Sequence, residues 1–297
     1  MRRLIPMAIA SLLTGCLAFH RGPMPGEPAS ATFADVDGAR VRYVDVGSGP
    51  AVVLVHGFAS SLETWAAVMP ELSRNHRVIA LDLKGFGWTD RPRGDYSPEA
   101  QAKIVLDLLS QRGVDRAAFV GHSWGASVVL AAALAAPQRV TRLALYDAWA
   151  FEDQLPSFFL WSRVPGLGET LFGLYYDQRP DERLAAAFYD KKYLTEDLAE
   201  AVDKAMKRPG TRAAALAAAR GQRYSRMQER YRTIQQPALL LWGKEDRVAL
   251  PSIGERLAAE LPHSKLVVYP RCGHFPMIEA AAQSNDALAS FLAEDAK

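Results

Sequence analysis

The sequence predicts an α/β chain: a mostly parallel sheet flanked by helices, interrupted by one long helical insertion. Three observations predict it. Short apolar runs alternate with helical patterns up to about residue 147 and again from about 235 onward. The runs are apolar at consecutive positions, as in strands buried on both faces, so the sheet reads as parallel. From about 148 to 234 the segments look helical, with Pro and Gly punctuation and no strand signal.

The elements follow in order. Residues 41–46 read as a strand, and 51–55 as an apolar strand ending at His56-Gly57. Residues 64–72 suit a helix, and 78–83 form the next apolar run. Ser97-Pro98 opens a helix with a cap residue followed by Pro in the first turn, and Ile104, Leu108 and Leu109 give it helical spacing. A short buried strand at 117–120 precedes an Ala/Val/Leu helix at 126–136, which stops before Pro137. Residues 143–146 make a strand. After the insertion come strands at 238–242 and 266–269, with helices near 253–261 and 281–293.

Composition bounds the function classes. The chain has 297 residues, 49% hydrophobic and 23% charged, the balance of a globular protein with a sizeable core. A mean hydropathy of −0.07 excludes a polytopic membrane protein. A net charge of +2 gives no nucleic-acid surface. Two cysteines, Cys16 and Cys272, cannot build a disulfide framework or a Cys-rich metal site.

The first residues read as an export signal. Met1-Arg2-Arg3 precedes ten uncharged residues, too few to span a bilayer, which needs about 20. Leu13-Thr14-Gly15-Cys16 resembles the bacterial lipobox. The resemblance implies cleavage after residue 15 and acylation of Cys16, with enough acyl chains for stable anchoring. Ala29-Ser30-Ala31 is a rival cleavage site, and Arg2-Arg3 a weaker hint of twin-arginine export. Residues 16–31, with Pro23, Pro25 and Pro28, are expected to form a lipidated N-terminus and flexible tether. The expected location is the bacterial cell envelope, on the outer membrane or the periplasmic face. Loss of residues 1–15 removes Arg2 and Arg3, which leaves the mature chain formally neutral.

The chemistry-bearing motif is Gly121-His122-Ser123-Trp124-Gly125, a G-x-S-x-G between a strand and a long apolar helix. That context is what a nucleophile elbow needs. A serine hydroxyl also needs a base and a group that orients the base. Asp246 follows the strand at 238–242, and His274 lies in a loop before the last helix. Asp147, after the strand at 143–146, is a second position for the acid.

With these residues in view, the chain resembles the α/β-hydrolases of the esterase and C–C hydrolase branch over residues 33–295. His56-Gly57-Phe58 is similar to the family's oxyanion loop, and Asp82 to Asp90 to its D-x-x-G-x-G-x-S-D segment, with Thr89 for Ser. The Gly243-Lys244-Glu245-Asp246 and Gly273-His274-Phe275-Pro276 pieces match its acid and histidine loops. The resemblance implies an eight-stranded sheet, with residues 32–147 and 235–297 as core and 148–234 as a helical cap. It implies Ser123 as nucleophile, His274 as base, Asp246 as acid, and the Phe58 and Trp124 amides as oxyanion hole. Dehalogenases and epoxide hydrolases of this fold carry Asp where Ser123 stands. His56 and His122 are expected as loop struts, Asp82 and Asp90 as structural, and Cys272 as packed.

Residues 148–193 hold eleven aromatic residues, an enrichment that suits either an apolar pocket or packing of the cap on the sheet. Arg212, Arg220, Arg223, Arg226, Arg230 and Arg232 read as a solvated helix face or as a contact to anionic lipid. The expectation is a membrane-tethered serine hydrolase of small or apolar carboxylic esters, working without metal or cofactor as a monomer or weak oligomer. C–C hydrolase, perhydrolase and aminopeptidase chemistry are alternatives, as is a binding lipoprotein without turnover.

Overall fold

The computed structural model describes residues 17–176 and 181–294. The export signal and Cys16 lie outside them. Eight strands form one sheet: β1 (Thr32–Val36), β2 (Ala39–Val46), β3 (Ala51–Val55), β4 (Arg77–Leu81), β5 (Ala117–His122), β6 (Val140–Tyr146), β7 (Ala238–Gly243) and β8 (Ser264–Tyr269). Their spatial order is β1-β2-β4-β3-β5-β6-β7-β8. β1 pairs antiparallel with β2, and β2 antiparallel with β4; β3 to β8 run parallel.

The inner parallel strands β3, β5 and β7 are apolar because each buries both faces, whereas the edge strand β8 is partly exposed. In β3, Val53 and Val55 enter one core layer while Val52 and Leu54 enter the other, the period of two that a strand imposes. The first layer lies under helices α1 (Pro98–Gln111) and α2 (Trp124–Ala135). α2 has a poorly sided apolar pattern because most of its surface is buried. The opposite layer takes Trp65, Leu288 and Phe291.

β1 is a strand that the sequence reading missed. Four of its five residues are half-buried or exposed, so no apolar run marks it. The available signal was Asp37-Gly38. Both have positive φ (49° and 73°), and the register Val36↔Ala39 closes a two-residue hairpin that requires such angles.

The expected helix at 64–72 is two short pieces, a 3-10 turn at Leu62–Trp65 and one α-turn at Met69–Leu72. Pro70 forces the division: it has no N–H to continue a helix and fits only a first turn.

Residues 17–31 do not hang free as a tether. His20 bridges Arg91 through reciprocal backbone bonds of 2.9 and 2.8 Å, and Gly22 N–H donates to Asp90 Oδ1 at 2.9 Å. Met24 is buried against the Arg91 guanidinium, and Glu27 pairs with Arg40. A Pro-rich composition limits regular structure but does not prevent docking.

The insertion holds α3 (Ser157–Ser162), α4 (Leu167–Tyr175), α5 (Asp181–Ala187), α6 (Glu196–Met206) and α7 (Thr211–Gly221). No helix among the described residues is long and apolar enough to cross a membrane. The arginines near its end do not share one face. Arg220 makes a two-pronged pair with Glu169 at 2.8 Å, Arg232 pairs with Glu260, and Arg230 donates to the Leu134 carbonyl. Helices α8 (Pro251–Glu260) and α9 (Ala281–Ala293) complete the chain.

Candidate active site

Strands β5 to β8 deliver four ionisable or nucleophilic residues from their C-terminal ends, where ligands of open parallel sheets bind. Ser123 follows β5, Asp147 follows β6, Asp246 follows β7 and His274 follows β8.

Ser123 sits at φ 53°, ψ −121°, a conformation that costs a non-glycine residue roughly 1–3 kcal/mol. The turn is held from both sides: Ser123 N–H donates to the Tyr146 carbonyl at 2.9 Å, and Ala126 and Trp149 amides donate to the Ser123 carbonyl. The flanking glycines are steric necessities. A methyl at Gly121 would come within 2.6 Å of the Gly125 carbonyl oxygen, and one at Gly125 would collide with the Val55 and His56 carbonyls.

His274 is 5% exposed and its Nδ1 lies 2.7 Å from Asp246 Oδ2. Asp246 Oδ1 accepts the Val248 and Ala249 amides at 2.7 and 3.0 Å, so this carboxylate is fully engaged. The His274 backbone is also held. Its N–H donates to the Ala187 carbonyl in the insertion, and its carbonyl accepts from His122 Nε2 at 2.8 Å. Burial pushes the His122 imidazole well below the usual range, so it stays neutral and acts as a strut. His56 braces the loop leading to Phe58 similarly, with Nδ1 on the Gly57 carbonyl and Nε2 accepting from the Leu83 amide.

Phe58 N–H bonds no described residue, and Trp124 N–H opens α2, where no carbonyl one turn earlier can accept it. Trp124 follows Ser123 directly, and a Cβ built on Gly57, next to Phe58, would lie 3.1 Å from the Ser123 Cβ. Asp82 is structural: it accepts the Leu62 and Trp88 amides at 2.8 Å. Asp90 accepts the Gly22 and Arg40 amides. Cys272 is fully buried, and that burial pushes its thiol upward, away from nucleophilic use.

Ser123 and His274 open onto a cavity of about 900 Å³ between the sheet and the insertion. Six insertion aromatics line it: Trp149, Phe158, Phe159, Phe172, Tyr176 and Phe188. Phe151 instead packs on Tyr231, and Trp161 is 57% exposed. Arg208, half-buried at the cavity wall, is a residue the sequence reading did not single out. Its guanidinium lies 3.5 Å over the Trp88 ring and donates to the Gly87 carbonyl at 3.0 Å. No carboxylate of a described residue forms an ion pair with it. Nothing distinguished it in sequence from the other insertion arginines. Donors from His122, Asp147 and His274 lie within 4.8 Å of one another.

The family model described as "alpha/beta hydrolase fold" matches residues 50–281. The chain belongs to the α/β-hydrolase family. Among relatives of this hydrolase-fold chain, the 2-hydroxy-6-oxo-2,4-heptadienoate hydrolase of Pseudomonas putida is 36% identical over 254 residues, 82% of this chain and 88% of that one. The meta-cleavage product hydrolase CumD of Pseudomonas fluorescens superposes with a TM-score of 0.74 at 27% identity, covering 88% of this chain and 97% of that one. A thermophilic esterase of Thermogutta terrifontis gives a TM-score of 0.74 at 25% identity, over 89% and 98% of the two chains.

Proposed function

We propose that this α/β-hydrolase-fold chain is a serine hydrolase cleaving carboxylic esters of small or apolar acyl groups through an acyl-enzyme. One observation carries the reading: Ser123 stands on a strained turn facing an apolar cavity shared with His274, whose ring is oriented by Asp246. His274 takes the hydroxyl proton as Ser123 attacks the carbonyl carbon. Negative charge moves to the carbonyl oxygen, where the Phe58 and Trp124 amides stabilise it. His274 returns the proton to the leaving group, and a water repeats the sequence to release the acid.

Arg208 supports a second reading, C–C hydrolysis of a β-diketone-like substrate with an anionic end. A guanidinium at the wall of an apolar cavity, with no ion pair to a described residue, fits a carboxylate. The 2-hydroxy-6-oxo-2,4-heptadienoate hydrolase and meta-cleavage product hydrolase relatives support the same reading.

Labelling with a fluorophosphonate, followed by peptide mapping, tests the nucleophile. Assays on aryl esters of graded chain length and on a 2-hydroxy-6-oxo-dienoate then separate the two bond types. Ser123→Ala should lose the adduct and at least about 10³-fold of the activity. Equal rates for variant and wild type would overturn both readings. Labelling with dienoate cleavage but no ester turnover would select the second.

We also propose that Cys16 carries the lipid anchor and holds the chain on the outer membrane or periplasmic face, supported by the lipobox-like Leu13 to Cys16. Mass spectrometry of the mature N-terminus tests it. An unmodified start at Thr32 would refute it.

A further inference from the structure

The insertion presents an apolar face that the mechanism above does not use. Residues 157–176 contain only two charged side chains, Arg163 and Glu169. Both turn onto the body of the chain: Arg163 pairs with Glu152 at 2.6 Å, and Glu169 with Arg220 at 2.8 Å. What remains outside is uncharged and large. α3 leaves Leu160, Trp161 and Val164 exposed, and α4 leaves Leu167 and Leu174 exposed, with Leu171 half-buried between them. Residues 167, 171 and 174 follow the i, i+4, i+7 spacing of one helix stripe. A different stripe of α4 carries Phe172 and Tyr176, which line the cavity together with Phe158 and Phe159 of α3. Each helix is therefore apolar on two faces, and the fold covers only one. Single exposed apolar side chains are ordinary, but a run of large ones on two packed helices marks a contact surface.

The place where the chain leaves the described fold says what covers this face. Leu17 and Phe19 pack on the core, with Phe19 stacked on Tyr96 at 6.2 Å. Cys16 is bonded to Leu17, so a lipid on it starts within about 4 Å of a docked residue, with no tether between them. Tyr96 and the α3–α4 corner meet the same end of α7. A methyl built on Gly221 would lie 2.8 Å from Ser97 N and 2.9 Å from the Tyr96 carbonyl carbon. Arg220, one residue earlier, donates to the Ser162 carbonyl at 2.7 Å, and its Nη2 would lie 2.8 Å from a methyl on Gly168. The anchor position and the corner that carries Trp161, Val164 and Leu167 are thus neighbours across one helix end. A bilayer holding an acyl chain at residue 16 lies within reach of that corner. α3 and α4 have 6 and 9 residues, far short of the roughly 20 a span requires. Short helices with one apolar side lie in the plane of the membrane interface, where Trp is favoured.

We propose that the outer face of α3 and α4 docks on the lipid bilayer, with Trp161, Leu167 and Leu174 at the boundary between headgroups and acyl chains, and that the site draws apolar acyl esters from that bilayer. The same two helices wall the cavity that holds Ser123 and His274. An ester dissolved in the bilayer therefore has only this helix pair between it and the nucleophile. The docking builds on the Cys16 anchor and the substrate class on the serine-hydrolase reading, and the tests separate all three.

The first test needs no turnover. Trp65, Trp124, Trp149 and Trp242 are buried and Trp88 is half-buried, so quenching from within a membrane reports Trp161. The full chain is reconstituted in phosphatidylcholine–phosphatidylglycerol vesicles whose acyl chains carry bromine. Tryptophan emission should fall relative to unbrominated vesicles, and Trp161→Phe, which keeps the face apolar, should remove most of that fall. Equal quenching in wild type and Trp161→Phe, or none in either, would overturn the docking. Mass spectrometry of the same preparation reports the anchor: an unacylated chain refutes lipidation at Cys16, while quenching by excess vesicles still decides the face. A dimer that Trp161→Glu dissociates, without bromine quenching, would assign the face to a second copy and overturn the proposal. The second test uses the Trp161→Glu, Leu174→Glu double variant on two esters. A long-chain ester dissolved in vesicles should be cleaved at least about tenfold more slowly, and a water-soluble acetyl ester at the wild-type rate. Unchanged rates on the vesicle-borne ester would overturn the bilayer route, as would equal loss on both esters. If Ser123→Ala matches wild type, the hydrolase reading fails, while the quenching still reports the docked face.

Discussion

At the residue scale, the site is built by backbone positions that exclude alternatives. Ser123 can occupy its turn because Gly121 and Gly125 leave room for carbonyls passing within contact distance. Gly125→Ala is therefore expected to destabilise the chain by about 1–3 kcal/mol through overpacking. It should also remove fluorophosphonate labelling, because the added methyl must displace the loop carrying Phe58. Thermal unfolding and labelling together check this. Much of this was legible in the sequence: the glycines and Ser123 stand at fixed spacing. Asp246 was legible as the acid, with Asp147 left as a second position, and the structure puts Asp246 on His274. Both follow apolar strands, and only the fold reveals that β6 lies between β5 and β7, bringing both carboxyls to one histidine.

At the element scale, the insertion is fastened by charge as well as by aromatic packing. Arg220 on α7 grips Glu169 on α4 with two bonds and also donates to the Ser162 carbonyl at the end of α3. The paired guanidinium lowers the Glu169 carboxyl to about 2. A carboxylate whose folded value lies below its unfolded one stabilises the fold above the unfolded value, near 4.5. That contribution is lost as pH falls toward about 2. Glu169→Gln should lower Tm at pH 7, and the difference from wild type should shrink and vanish between pH 4.5 and about 2. Both side chains are partly solvated, so the effect is under about 1 kcal/mol. A Tm difference constant from pH 2 to 7 would argue against the pair. Sequence reading identified the insertion by its lack of strand signal. It could not pair the arginines with acids some fifty residues away, because helical periodicity carries no information about which helix is the neighbour.

At the scale of the whole molecule, the segment before β1 belongs to the folded body. It closes over the loop containing Asp90 and Arg91 and buries Met24. Arg91 is fully buried with no carboxylate of a described residue at hydrogen-bond distance, and burial lowers its guanidinium to about 10. Its donors go to the Thr89 and Gly87 carbonyls, Thr211 Oγ1 and Met24 Sδ. A chain beginning at residue 32 should be less stable than one beginning at residue 17 by about 2 kcal/mol, roughly 4–8 °C in Tm. Urea unfolding of the two chains measures this directly. Equal midpoints would mean that the segment only rests on the surface.

The sequence by itself determined the parallel core, the insertion and the order Ser, Asp, His, because burial on both faces and turn chemistry write themselves into local patterns. Tertiary structure alone decided which aromatics line the cavity, that Arg208 stands on its wall without an ion pair to a described residue, that residues 17–31 dock, and that Asp147 comes within 4.8 Å of a His274 ring nitrogen. Each of these depends on contacts between residues distant in the chain, and such contacts leave no periodic trace in the sequence.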